Sequence, residues 1–146
     1  MKKLFNRNFD VNFFEKDQNT LNLKVYMKDS YHDFVLNMDI DTKEHMIIWT
    51  ELELKKKPKE ECLELKNLVK EMVGARIGAG FTKTVTSTLG GSKGCPNLVN
   101  LFLISAPLAL NVTATAYKQD KNITEEEMHE LLSEILAGVC LGYPKK

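Results

Sequence analysis

The sequence predicts an α+β fold in which an N-terminal antiparallel β-meander is followed by three to four helices packed on one face of the sheet. Between Leu21 and Leu54, apolar and polar residues alternate, which is the period of half-buried strands. Past Pro58 the apolar residues are spaced by three and four positions, as on one side of a helix. A chain of 146 residues is long enough to bury its own core, so one domain is expected over residues 1–146.

Consecutive hairpins are predicted for the first half of the chain. Runs such as Phe34, Leu36 and Met38 place an apolar residue at every second position. Turn-forming residues separate the runs at 28–30 and at 39–43. Because these connections are short, neighbouring strands are expected to pair in antiparallel fashion without crossovers.

The segment after Pro58 is predicted to form a single helix that ends at Gly74. Its apolar stripe is made of Cys62, Leu65, Val69 and Met72. We expect Cys62 to pack in the core, because free cysteine is among the residue types most often buried. Six of the eight glycines follow between Gly74 and Gly94, so that region is predicted to be irregular.

Further helices are predicted after the glycines. Pro96 suits a first helical turn, because its missing N–H would have no partner there, and Cys95 then falls at the cap. Pro107 is expected to kink or split this helix, since it removes an internal hydrogen bond. Thr124 and Glu127 have the spacing of a capping box and are expected to begin the last helix.

The charges of the chain argue against nucleic acid and membranes as partners. Twenty basic and twenty acidic side chains give a formal net charge of zero, so no overall field attracts a polyanion or an anionic bilayer. The apolar stretch Leu98 to Leu110 is interrupted by polar residues and Pro107. It is shorter than the ~20 residues that span a bilayer, so we expect a buried helix.

The N-terminus indicates a cytoplasmic protein with free thiols. No apolar signal-peptide core follows Lys2 and Lys3. The three cysteines, Cys62, Cys95 and Cys140, are widely spaced and include no C-x-x-C pair. In a reducing cytosol such cysteines are expected to remain unpaired.

A glycine loop that leads into a helix is the sharpest local feature of the sequence. Three glycines precede Cys95, with Lys93 close by. Backbone N–H groups and the positive end of the helix dipole favour negative charge there, so Cys95 is a candidate nucleophile or soft metal ligand. The same loop could bind a phosphate or carboxylate. Alternatively, it could be a tight turn in which Cys95 is a small buried apolar residue.

His32 is the second candidate for chemistry. It follows a turn and precedes Asp33, a carboxylate that could orient the imidazole as an acid, a base or a metal ligand. The competing interpretation is an exposed histidine in a hairpin. The sequence alone leaves both interpretations open.

The glycine loop resembles the Gly-Gly-x-x-Gly-Cys-Thr-His-Leu signature of a bacterial family of uncharacterised proteins, catalogued as a domain of unknown function. Here the signature stands as Gly90-Gly91-Ser92-Lys93-Gly94-Cys95-Pro96-Asn97-Leu98. The similarity covers roughly residues 20 to 115 and includes the His32-Asp33 step, the Pro58 to Cys62 spacing and the Gly78 to Phe81 segment. The family implies no established reaction, so the resemblance indicates where a site lies.

One departure from that signature bears on mechanism, because Asn97 stands where the family has histidine. An amide can donate and accept hydrogen bonds, but it cannot act as a general base at neutral pH and is a poor ligand for soft metals. If His32, Cys62 and Cys95 converge, as the resemblance permits, they would offer zinc, iron or an iron-sulfur unit one nitrogen and two sulfurs. The order of strands, helices and loop cysteine also looks like that of iron-sulfur scaffold and sulfur-acceptor proteins.

The leading hypothesis is a pocket for a small organic ligand, with thiol-dependent chemistry at Cys95 and with His32 as a second catalytic residue. The expected ligand-binding residues belong to the loop and the helix start: Gly90, Gly91, Lys93, Gly94 and Asn97. Of these, Gly91 and Gly94 would supply backbone donors to a carboxylate or thioester oxygen. One alternative is a metal or iron-sulfur carrier that uses Cys95, Cys62 and His32. The other is a non-catalytic subunit that binds a partner protein or forms a homodimer.

Overall fold

Four antiparallel strands form the first half of the computed structural model, which describes residues 1–138 and 140–145. In chain order they are β1 (Asn8–Asp17), β2 (Thr20–Lys28), β3 (Asp33–Asp41) and β4 (Met46–Lys56). They follow the same order in the sheet, and every neighbouring pair is antiparallel. The predicted N-terminal β-meander is confirmed.

Strand β2 shows how one face of the sheet is buried. Leu23, Val25 and Met27 are fully buried, whereas the residues between them are partly or largely exposed. Val25 lies opposite Val11 of β1 and Leu36 of β3. The apolar rows of adjacent strands therefore fall in line on one face, as the period of two predicted.

The chain after β4 packs against that strand, but not as the single helix predicted. It forms a 3₁₀ turn (Glu60–Glu64), a four-residue helix α1 (Leu65–Leu68) and a second 3₁₀ turn (Val69–Met72). The three later residues of the predicted stripe are buried: Leu65, Val69 and Met72. Thr50 of β4 donates a hydrogen bond from Oγ1 to the Val69 carbonyl oxygen at 2.9 Å, which fastens the second turn to the sheet.

Cys62 does not occupy the core position predicted for it. It lies in the first 3₁₀ turn and is only half-buried. That turn has no side-chain cap and contributes no buried residue. Because only the later half of the segment is held against the sheet, the apolar stripe ends before it reaches Cys62.

Helices α2 (Phe81–Leu89) and α3 (Pro96–Ser105) flank the glycine loop and pack against each other. Helix α3 also contacts β2, and its Leu98, Leu101 and Phe102 are fully buried. Cys95 is the N-cap residue and Pro96 lies in the first turn, as predicted. The helical segments up to α3 therefore cover the face of the sheet that β2 buries.

Pro107 splits the helical run after α3, as predicted. It lies in a 3₁₀ turn (Ala106–Leu108) that precedes α4 (Ala109–Lys121). The run Pro96–Ala114 is long and apolar enough to cross a membrane by length and composition, with a mean hydropathy of 1.5, and 39% of it is buried. Core helices of soluble proteins pass the same test, so this result alone does not assign a membrane span.

The chain forms two compact units, Met1–Ala109 and Leu110–Lys146. The second contains most of α4 and the whole of α5 (Glu125–Ile135). Thr124 and Glu127 form the predicted capping box, in which the Glu127 N–H donates to Thr124 Oγ1 at 3.2 Å and the Thr124 N–H donates to Glu127 Oε2 at 2.8 Å. The expectation that residues 1–146 act as a single domain stays a prediction.

Candidate functional site

The glycine loop folds back on the end of α2 and leads Cys95 to the start of α3. The Cys95 N–H donates to the Leu89 carbonyl oxygen at 2.8 Å. Gly91 has a left-handed φ of 77°, which glycine adopts without steric cost. A Cβ atom at Gly94 would lie 2.0 Å from the Leu89 carbonyl oxygen. The loop therefore requires glycine at these two positions for different reasons, one conformational and one steric.

Some of the backbone N–H groups that were expected to bind a ligand form hydrogen bonds within the loop instead. The Gly94 N–H donates to the Gly91 carbonyl oxygen at 3.1 Å, and the Cys95 N–H is bonded to Leu89. The expectation that Gly94 donates to a ligand oxygen stays a prediction, and it would require this bond within the loop to be shared or broken. Lys93 carries the charge among the side chains of this loop.

Cys62 and Cys95 line one open groove with a volume of about 840 Å³. One group of lining residues comes from the segment after β4: Lys59, Glu61, Cys62, Glu64 and Leu65. The other comes from the loop and the start of α3: Ser92, Lys93, Gly94, Cys95 and Pro96. Both cysteines are free and half-buried, and both belong to the lining of this groove.

The groove contains only part of the predicted ligand site. Lys93, Gly94 and Cys95 line it. The other predicted residues lie outside its lining: Gly90, Gly91, Asn97 and His32. Two of these, His32 and Asn97, contact each other instead. The structure therefore divides the predicted site into a groove and a second cluster.

That second cluster is a closed ring of hydrogen bonds among Arg7, Asp29, His32 and Asn97. Asp29 Oδ1 lies 2.9 Å from His32 Nδ1, and His32 Nε2 lies 3.2 Å from Asn97 Nδ2. Arg7 closes the ring by donating from Nη1 to Asn97 Oδ1 and from Nε to Asp29 Oδ2, both at 2.8 Å. The sequence pointed to Asp33 as the carboxylate that orients His32, whereas the structure shows Asp29 in that position.

The ring determines which nitrogen of His32 carries the proton. An arginine side chain can only donate, so the Asn97 atom that Arg7 contacts is assigned as the oxygen. The Asn97 amide nitrogen then faces His32 and donates to Nε2. Nε2 is consequently unprotonated, and the proton of the neutral imidazole lies on Nδ1 and is donated to Asp29. In this arrangement the Nε2 lone pair accepts the Asn97 N–H, and the catalytic role predicted for His32 stays a prediction.

Asp29 is the buried anchor of the ring, with a side chain that is fully shielded from solvent. Burial acts to raise the pKa of this carboxyl, but hydrogen bonds from the Tyr31 N–H, from His32 and from Arg7 outweigh it. The pKa of Asp29 therefore lies well below its ordinary range. The carboxylate is charged at neutral pH and forms an ion pair with Arg7 at 2.8 Å.

Arg7 and Asp29 were not found from the sequence. Asp29 Oδ1 accepts the N–H groups of Tyr31 at 2.7 Å and His32 at 2.9 Å, which is the local pattern of an aspartate that begins a turn. That pattern was available as a signal. Arg7 is 22 positions from Asp29 and 90 positions from Asn97, and no local spacing marks it.

The three residues proposed as metal ligands are not gathered in one place. Cys62 and Cys95 share the groove, whereas both ring nitrogens of His32 are engaged by Asp29 and Asn97. Within residues 1–138 and 140–145, no group of three or more His, Cys, Asp or Glu side chains is placed to hold a metal ion. This geometry does not support a zinc, iron or iron-sulfur site on Cys95, Cys62 and His32.

Comparison with known protein families gives a match over most of the chain. The family described as "Protein of unknown function (DUF2889)" matches residues 6–111. The chain belongs to this family. The matched region of this DUF2889 protein includes all four residues of the ring and both cysteines of the groove. The resemblance to a family of unknown function is thereby confirmed, and no match is found among curated proteins or solved structures.

Replacing Arg7 with lysine is expected to lower the free energy of unfolding by about 1–2 kcal/mol. Arg7 reaches Asp29 and Asn97 at the same time through separate nitrogens, which the single ammonium group of lysine cannot reproduce. Urea denaturation of R7K measures the loss. Arg76→Lys is the matched control, because the Arg76–Glu44 pair is largely exposed on both sides and should contribute little. Equal losses in the two variants would contradict a structural role for the ring.

Proposed function

We propose that this protein binds a small organic ligand in the groove lined by its two cysteines, and that the Cys95 thiol reacts with the ligand or anchors it. The observation that carries the proposal is the position of Cys62 and Cys95, which come from separate segments and line one groove while remaining half-buried. Free cysteine is among the residue types most often fully buried. Two accessible thiols in one groove therefore favour a chemical role.

Charged side chains of both signs line the groove. Lys59 and Lys93 offer cations to a carboxylate or phosphate, and Glu61 and Glu64 offer acceptors to an ammonium or hydroxyl group. A ligand that complements this lining is small and polar, with an anionic group and a hydrogen-bond donor. The mixed lining argues against a purely apolar ligand.

Cys95 is better placed for reaction than Cys62. It caps the ten-residue helix α3, and its side chain makes no capping hydrogen bond, so the sulfur is not committed to the backbone. The N-terminal end of a helix favours negative charge, and Lys93 lies on the same groove. Cys62 lies in a short 3₁₀ turn without such a helix end. We therefore assign the nucleophile to Cys95.

His32 and Asn97 contribute to this function by position. Asn97 lies in the first turn of α3, two residues after Cys95, and the ring ties it to Arg7 and to His32. Because the ring holds the helix start, it also holds the residue that precedes it. In this proposal His32 and Asn97 are positioning residues, and neither transfers a proton to the ligand.

The proposal predicts that Cys95 is alkylated faster than the other cysteines near neutral pH. Reduced full-length protein is treated with iodoacetamide, and the modified sites are followed by peptide mass spectrometry. We expect Cys95 to react on the order of tenfold faster than Cys140, because the N-terminal end of a helix stabilises negative charge on an attacking sulfur. Cys140 is exposed and serves as the reference for accessibility.

Unfolded protein supplies the control for that measurement. In denaturant the helix is lost, so the three cysteines are expected to react at similar rates. Similar rates at Cys95 and Cys140 in the folded protein would contradict the proposal. A ligand identified by screening should then protect Cys95 from alkylation and leave Cys140 unaffected.

The two alternative functions are a metal carrier and a non-catalytic subunit. The metal-carrier hypothesis lacks a gathered set of ligands among the residues that the structure describes. A role as a subunit that binds a partner protein or forms a homodimer stays a prediction. The same holds for a cytoplasmic location and for the expected absence of nucleic-acid and membrane partners.

A further inference from the structure

We propose that Cys62 and Cys95 act as a dithiol pair that exchanges with small disulfides of amino acids or short peptides and closes to an intramolecular disulfide. This inference rests on the proposed function and names the class of compound that the groove takes. Three observations support it: the placement of the two thiols, the freedom of the backbone that carries Cys62, and the charges along the groove.

The two thiols are the nucleophiles of one groove. Cys62 and Cys95 both line it, both are free and both are half-buried. Cys140, the third cysteine, belongs to the unit Leu110–Lys146 and is not among the lining residues. A disulfide reagent that enters the groove therefore encounters both of the thiols that line it.

The turn that carries Cys62 is the part that can move. A disulfide requires the two Cα atoms to come within about 7 Å of each other. Cys95 is held by its N–H bond to Leu89 and by the helix that follows it. The 3₁₀ turn of Cys62 has neither a buried residue nor a side-chain cap, and segments with so few buried contacts open at low free energy. Closure would therefore bring Cys62 towards a fixed Cys95.

The charges of the groove select the kind of disulfide. Disulfides of amino acids and short peptides carry both carboxylate and ammonium groups. Lys59 and Lys93 complement the carboxylates, and Glu61 and Glu64 complement the ammonium groups. An uncharged disulfide has the same reactive sulfurs but gains none of these contacts.

The reaction consists of two balanced exchange steps. The Cys95 thiolate attacks one sulfur of the small disulfide, a new S–S bond forms at Cys95, and the other half leaves as a thiolate. The Cys62 thiolate then attacks the Cys95 sulfur and releases the second half. The small disulfide is reduced to two thiols, the two cysteines are oxidised to one disulfide, and the two cysteine protons pass to the departing thiolates.

The test uses the full chain with Cys140→Ser, reduced and then incubated with oxidised glutathione near neutral pH. Samples are quenched with acid and examined by intact mass and peptide mapping. We expect a product that has lost two hydrogen atoms, carries no adduct and contains a Cys62–Cys95 peptide. In the additional presence of Cys62→Ser, a glutathione adduct on Cys95 should accumulate, because no second thiol can displace it. Oxidised glutathione should react about fivefold faster than uncharged 2-hydroxyethyl disulfide.

Some outcomes would overturn the inference. A lasting adduct on Cys95 in the chain that retains Cys62, or disulfides formed only between molecules, would exclude the pair. Circular dichroism of each variant checks folding. If Cys95 is selectively alkylated but its adduct persists, only this inference fails. If Cys95 shows no selective alkylation, the proposed function fails as well.

Discussion

Replacing Asp29 with asparagine is expected to lower the free energy of unfolding by about 3–5 kcal/mol at neutral pH. The Asp29 side chain is fully buried and forms an ion pair with Arg7. Its oxygens also accept hydrogen bonds from His32 and from the Tyr31 N–H. An amide of the same size removes the negative charge and turns a donor towards one of these donors. The loss is measured by urea denaturation and by the midpoint of thermal unfolding.

The effect of this substitution should depend on pH in a definite direction. Folding lowers the pKa of Asp29, so the carboxylate contributes its full stabilisation above the pKa of the unfolded chain, which is about 4. That contribution is lost as the pH falls through the lower pKa of the folded state. The difference in stability between the natural protein and Asp29→Asn should therefore narrow below about pH 4. A difference that widened on acidification would contradict the ion pair.

Asp10→Asn is the matched control for this experiment. The same substitution of asparagine for aspartate is made here at an exposed position of β1. It should change the free energy of unfolding by less than about 0.5 kcal/mol, as is usual for surface substitutions. Equal losses at Asp10 and Asp29 would show that the burial and partners of Asp29 are not the cause.

Replacing Gly94 with alanine is expected to lower the free energy of unfolding by about 3 kcal/mol. We also expect slower alkylation of Cys95. The new Cβ atom would meet the carbonyl oxygens of Leu89 at 2.0 Å and Gly90 at 2.6 Å. Both are backbone atoms, so neither can rotate away. The loop would have to open and give up the bond from the Cys95 N–H to Leu89. Chemical denaturation and the iodoacetamide rate together measure the result.

Gly91→Ala separates this steric effect from the general cost of losing a loop glycine. A Cβ atom at Gly91 meets nothing within 4 Å, but the residue has a left-handed φ of 77°. Alanine there should lower the free energy of unfolding by about 1 kcal/mol and should leave the Cys95 alkylation rate nearly unchanged. If G91A and G94A slowed alkylation equally, the close approach at Gly94 would not be what positions Cys95.

The parts of the fold that sequence reasoning predicted are those that neighbouring residues determine. The alternation around Phe34 to Met38 predicted the meander, because strand periodicity is a local property. Pro96 and the Thr124–Glu127 pair predicted helix starts for the same reason. The core position predicted for Cys62 was wrong, because a spacing of three and four residues cannot show where a helix loses contact with the sheet.

In the candidate site, too, the features that neighbouring residues determine could be predicted, and those that depend on distant contacts could not. Cys95 at a helix start and Lys93 beside it could be predicted, because both depend on a short motif. The long-range members of the ring could not, since Arg7 and Asn97 are brought together by the completed sheet and by the packing of α3. Asp33 was the nearest carboxylate in sequence, but Asp29 is the carboxylate that the turn brings to His32.

The closed ring has a consequence for the order in which this protein matures. Arg7 and Asn97 are separated by 90 positions, and contacts of such long range carry a high loop-closure entropy, so they form only after the intervening chain has become ordered. During synthesis the N-terminal arginine must wait until the meander and the start of α3 have left the ribosome. A chain interrupted before Asn97 contains Arg7 and Asp29 but lacks the amide that closes the ring. The ring is therefore completed only in a chain that has been translated through both parts of its site.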